Sequence, residues 1–102
     1  MLPKNRRPTP PGEILLHEFV EPLALTQKQL AEALGVTRIR VNEIIRGRRS
    51  VTPDTAFRLS KFFGTTVDFW MGLQADVDMW DTLSKHGNEY ERIKPISRAA
   101  NE

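Results

Sequence analysis

Large apolar residues return along most of this chain at three- and four-residue intervals, the repeat of helices with one buried face. Ile14, Leu15, Phe19 and Val20 keep that spacing until Pro22 ends the run. Pro10-Pro11 in front of them suits a helix start, where a missing N–H leaves no bond unmade. Thr26 is placed to cap a second helix over 27–34, with Leu30, Ala31 and Leu34 on one face and Gly35 as its stop. Thr37 caps a third, from Arg38 to about Arg46, and Gly47 ends it. Thr52-Pro53-Asp54 opens a fourth, carrying Ala56, Leu59, Phe62 and Phe63 as far as Gly64. Thr66 and Asp68 open a fifth that the pattern carries to about Lys85, before Gly87. No segment alternates long enough for a strand, and there is no internal repeat. The pattern predicts an all-α protein with a basic, proline-rich mobile arm (1–10), one five-helix domain (11–86) and a polar tail (87–102).

Only Gly35, Val36 and Thr37 separate the second and third helices, a helix-turn-helix spacing. Ala31 is small where two steeply crossed helices touch, and Gly35 tolerates the left-handed backbone such a turn needs. If Val41, Ile44 and Ile45 close the core, then Ile39, Asn42, Glu43 and Arg46 point outward, with Arg38 at the exposed start and Arg40 on the far edge. These outward groups match base edges in a DNA major groove. Arginine pairs bidentately with guanine, asparagine with adenine, and isoleucine meets a thymine methyl. The expected base contacts are Thr37, Arg38, Ile39, Asn42 and Arg46. Glu43 either accepts from cytosine or holds Arg40 or Arg46 in place. Gln27 and Lys28 at the start of the second helix, with Arg40, Arg48, Arg49 and Ser50, are placed for phosphate.

Charge sharpens this picture. The net charge is only +2, but the charges are segregated. Residues 36–49 hold five arginines against Glu43, whereas residues 66–91 hold six acids against Lys85. One basic face and one acidic end suit a polyanion on one side only. With 102 residues there is room for one compact domain. Without cysteine there is neither a disulfide nor a thiolate metal site, and with no membrane-length apolar run and no signal-peptide pattern the protein is expected in the cytoplasm. His17 and His86 each stand alone, and the carboxylates of Asp76, Asp78 and Asp81 diverge on a helix. With no nucleophile motif and no glycine-rich phosphate loop, neither catalysis nor a cofactor or metal is expected. In the fifth helix, Phe69, Leu73, Val77 and Trp80 form a stripe able to pack on the other helices. Trp70, Met71 and Met79 are then surplus, so Trp70, Met71, Met79 and Trp80 are the expected interface of a homodimer. Such a dimer would read an inverted-repeat operator.

Three segments carry a resemblance: PGEILLHEFVEPL at 11–23, LTQKQLAEALGVTRIRVNEIIRGRRSVTPDTAFRLSKFFGTT at 25–66, and VDFWMGLQADVDMW at 67–80. They resemble the HigA/VapI group of antitoxins within the Cro/C1-type helix-turn-helix family. The PGEIL start, the RGRRSVTPDTA connection and the FWxxLQxxxD block from Phe69 to Asp78 are the specific parts. Pro10 and Gly72 depart from the pattern, in which many members carry histidine and asparagine, and Gly72 would permit a bend. The resemblance implies a lambda-repressor-like fold, a dimeric repressor of its own operon, and an antidote to a HigB-like, mRNA-cleaving toxin. A stand-alone regulator without a toxin is the alternative. A basic toxin would dock away from the arginines, on the arm, on the first helix around Glu13, His17 and Glu21, or near Asp76 to Asp81.

Overall fold

The computed structural model describes residues 6–97, which contain five helices and no strand. The first, α1, begins as Pro11–Ile14 and continues without a break into a π-helical stretch, Leu15–Val20. The periodicity predicts a helix here but not its wider pitch. An i→i+5 repeat stacks Leu15 with Val20 on one side, and both are buried. Helices α2 (Gln27–Leu34), α3 (Arg38–Ile45) and α4 (Pro53–Phe63) follow, and α5 spans Val67–Glu91.

Each of these four later helices starts at a threonine whose hydroxyl accepts a backbone N–H three residues on. Thr26 and Gln29 complete a reciprocal capping box at 2.8 and 3.0 Å. Gly35 ends α2 with φ 72°, the left-handed conformation that turns the chain into α3.

The core joins all five helices through Leu15, Leu30, Val41, Leu59 and Trp70, each almost fully buried. Trp70 packs against Phe19 at a tilt, 5.2 Å between ring centres, and edge-to-face with Phe69 at 5.0 Å, and its indole N–H donates to Thr65 Oγ1 at 2.7 Å. Gly12 lies so close to α3 that a Cβ there would stand 2.0 Å from the Ile44 carbonyl oxygen, so only glycine fits.

Helix α5 departs from the sequence expectation twice. Its buried row is Trp70, Gln74 and Val77, rather than Phe69, Leu73, Val77 and Trp80. Phe69 is 39% exposed, whereas Trp70 is wholly internal. The apolar pattern selects the wrong row because the true one contains a glutamine. The helix also runs past Lys85 and through Gly87 to Glu91, so 87–91 belong to it rather than to the tail. Gly87 stays right-handed, and the helix is supported across it by the His86–Glu89 hydrogen bond and the His86–Tyr90 ring pair. A glycine stops a helix only where the chain has a reason to reverse. At Gly72 the helix is likewise unbroken. Among the described residues no helix is long and apolar enough to cross a membrane.

Candidate nucleic-acid interface

Burial of Val41 and Ile44 fixes the rotation of α3. Arg38, Ile39 and Arg46 are exposed, Asn42 half-buried, and Ile39 retains 72% of its accessible surface. Nothing within the domain covers that isoleucine. Gln27, Arg38, Ile39 and Asn42 line one open hollow of about 470 Å³, and Thr26 and Lys28 edge an adjoining one shared with Gln27, Arg38 and Asn42. Three of the expected base contacts therefore meet Gln27 around one hollow, and Lys28 borders the adjoining one. The Asn42 amide donates to Gln27 Oε1 at 3.1 Å, tying the two helices across it. Thr37 is exposed but lines neither hollow, and its hydroxyl is used as the α3 cap, accepting from Arg40 N at 3.1 Å.

The other candidates divide. Arg46 stands exposed at the end of α3, and Arg48 and Ser50 are exposed in the loop beyond it. Among the described residues none of Arg38, Arg46 and Arg48 makes an ion pair. Arg40 is turned away from this set. Its Nη2 donates to Asp54 Oδ2 at 2.9 Å and to Thr55 Oγ1 at 2.6 Å, at the start of α4. Glu43 holds neither Arg40 nor Arg46. It accepts from Arg49 Nε at 2.9 Å and Nη2 at 2.7 Å. The cause is local: Arg48 N and Arg49 N both donate to the Glu43 carbonyl, so the loop folds back and presents Arg49 to that carboxylate.

Asp54 and Arg58 carry a scaffold that the sequence reading did not single out. Asp54 Oδ2 accepts from Arg40 and from Arg58 Nε at 3.0 Å, while Arg58 Nη1 donates to the Leu34 carbonyl at 2.8 Å. One carboxylate thus ties α3 to α4, and Arg58 ties α4 to the end of α2. The hydrogen bonds from Arg40 and then Arg58 hold the Asp54 carboxyl below its ordinary range. The only advance signal was an acid in the first turn of α4 with an arginine four residues later.

The acidic end is partly satisfied from within. Arg7 donates to both Asp81 oxygens, at 2.8 and 2.9 Å, anchoring the described part of the arm to α5. That pairing lowers the Asp81 pKa through the hydrogen bond from Arg7. On the outer side of α1, Glu13, His17, Glu18 and Glu21 are exposed together. His17 is raised by its 2.9 Å hydrogen bond to Glu21 and by the surrounding carboxylates. No group of acids and histidines among the described residues could hold a metal ion.

The expected dimer face needs one correction. Trp70 is fully buried in the chain's own core and offers nothing to a partner. Met71 and Trp80 are half-buried, and Met79 is 48% exposed. Leu83, 54% exposed and not among the expected residues, joins Met79, Asp78 and Thr82 around a hollow of about 330 Å³.

Residues 16–70 match the helix-turn-helix family model. The chain is 52% identical over 95 residues to an uncharacterized HTH-type transcriptional regulator, YbaQ, of Escherichia coli strain K12, covering 91% of this chain and 84% of the relative. It is 41% identical over 92 residues to antitoxin HigA-1 of Vibrio cholerae, covering 90% and 87%. The solved structure of Pseudomonas aeruginosa antitoxin HigA with the higBA promoter superposes with a TM-score of 0.84 at 36% identity, over 89% of this chain and all of that one.

Proposed function

Since the chain belongs to the HigA/VapI group of the Cro/C1-type helix-turn-helix family, we propose that it is a DNA-binding antitoxin that represses its own operon. One observation carries the DNA reading. Arg38, Ile39 and Asn42 surround a single hollow with Gln27, and the exposed Ile39 has no use inside the domain. In this reading Arg38, Asn42 and Arg46 contact base edges, Ile39 meets a thymine methyl, and Gln27, Lys28, Arg48 and Ser50 face phosphate. Arg49 supports the loop through Glu43, and Arg40 supports α3 through Asp54.

The protein acts as a homodimer through the exposed Met79 and Leu83 and the half-buried Trp80 on α5. Its operator is an inverted repeat with half-site centres about 34–36 Å apart. The toxin is a HigB-like mRNA-cleaving enzyme. Its docking face is the outer side of α1, because Asp81 is already occupied by Arg7 while Glu13 and Glu18 have no ion-pair partner among the described residues. Co-expression with the product of the adjacent reading frame tests the role. Growth rescue that survives Arg38→Ala with Arg46→Ala, but fails after Glu13→Lys with Glu18→Lys, is the expected result. The similarity to an HTH-type regulator supports the second reading, a lone regulator, which applies if no toxic neighbour exists or if rescue needs the DNA face.

A further inference from the structure

We propose that Gln74, on α5, is the positioning residue for the phosphate-facing loop after α3; the proposal rests on the DNA reading above. Gln74 is 8% exposed and occupies a row otherwise formed by Trp70 and Val77. A methionine would pack there as well, and a buried carboxamide is tolerated only with both ends bonded. Both are. Gln74 Oε1 accepts from Val51 N at 2.8 Å, and Nε2 donates to Asp78 Oδ1 at 2.9 Å. An ionised Asp78 only accepts, so it fixes the amide with its carbonyl toward Val51.

The loop therefore has two anchors. At its start, Arg48 N and Arg49 N bond to the Glu43 carbonyl within the same helix–loop unit. At its end, Val51 is buried and its N–H is held from a residue 23 positions away in sequence. Arg48, Arg49 and Ser50 lie exposed between these anchors. Beside them a polar hollow of about 160 Å³, lined in part by Arg49, Ser50, Gln74 and Asp78, leaves the loop without close packing on that side. Arg49 is further fixed by Glu43, so Arg48 and Ser50 depend most on the anchor at Val51.

The test uses the full chain and a duplex that it selects from a random pool. Gln74→Met should weaken binding by about 3- to 10-fold, the range of one lost hydrogen bond, at a temperature where circular dichroism shows the variant folded. In an Arg48→Ala background the same substitution should cost much less, because the contact it misplaces is already gone. Equal losses in both backgrounds would reduce Gln74 to a structural role and overturn the proposal. In the pair Gln74→Glu with Asp78→Asn, Val51 N–H still donates to residue 74 and only the 74–78 bond reverses direction, so both bonds re-form and the pair should recover wild-type affinity, whereas Gln74→Glu alone sets two carboxylates against each other and should not. Failure of the pair to recover also overturns it. If Arg48→Ala alone leaves affinity unchanged, the loop does not touch phosphate and the proposal falls while base reading stands. If the wild-type chain selects no duplex, the DNA reading itself has failed and this proposal falls with it.

Discussion

Helices α3 and α5 break the inside-apolar, outside-polar rule in opposite ways. On α3 an isoleucine stands 72% exposed among unpaired arginines, whereas on α5 a glutamine lies buried between a tryptophan and a valine. The exposed isoleucine is unexplained by the domain's own packing, so it points to something outside. The buried glutamine is explained entirely from within, by Val51 and Asp78. A misplaced side chain is informative about a partner only after its contacts inside the chain have been accounted for. Arg40 and Arg49 make the same point among the cations. The sequence places them with Arg48 against phosphate, but each is bound to a carboxylate of the same chain, whereas Arg48 makes no ion pair among the described residues.

The largest expected effect separates the two tryptophan-bearing surfaces of α5. Trp70→Ala should destabilise the fold by about 3–5 kcal/mol in urea denaturation, as for other large aromatic truncations in a core. Met79→Asp with Leu83→Asp should leave the denaturation midpoint of the monomer nearly unchanged and abolish the dimer in sedimentation at micromolar concentration. A dimer that survives both aspartates would move the interface elsewhere. Next comes α3. Arg38→Ala and Arg46→Ala should each cost about 1–3 kcal/mol on the selected duplex and much less on random DNA. An equal loss on both would demote that arginine to a backbone contact. Arg48→Ala should weaken all sequences alike and make the dimer's log–log salt dependence shallower by roughly 2, one phosphate per protomer.

These contrasts also show what the sequence made legible. Caps and turns were readable because their chemistry is local: Thr26, Thr37, Thr52 and Thr66 cap within three residues, and Gly35 and Gly64 turn the chain where they stand. The outward face of α3 was readable because one helical period and three apolar residues determine it. The partners of Arg40 and Arg49, and the burial of Gln74, were not readable in the same way. They join positions 14, 6 and 23 residues apart, and several oppositely charged or polar partners were equally compatible with the spacing. The row error on α5 has the same origin. Adjacent rows both contain aromatics, and what selects Trp70 is the Phe19 and Phe63 side of the core together with a hydrogen bond to Thr65.

The smallest expected effect tests whether Arg40 is a support or a withheld DNA contact. The Asp54 carboxyl is held below its ordinary 3.8 by Arg40 and Arg58. The stabilisation from this arrangement is therefore complete above that value, where the unfolded chain is already ionised, and is lost as pH falls through the lower folded value. Asp54→Asn should therefore lower stability near neutrality, by a small amount because the Asp54 carboxylate is exposed and screened, and the difference from wild type should vanish as pH falls through the folded value, which flattens the acid side of the profile. Stability measured between pH 2.5 and 7 is the check, and a profile that keeps the wild-type acid slope would remove Asp54 as its source. The same variant reads out Arg40. If Thr55 Oγ1, 2.6 Å from the guanidinium, is enough to keep it inward, DNA binding should keep the wild-type salt dependence. A steeper dependence would mean that Asp54 holds back a cation able to reach phosphate, and Arg40 would then join Arg48 on the DNA side of the comparison.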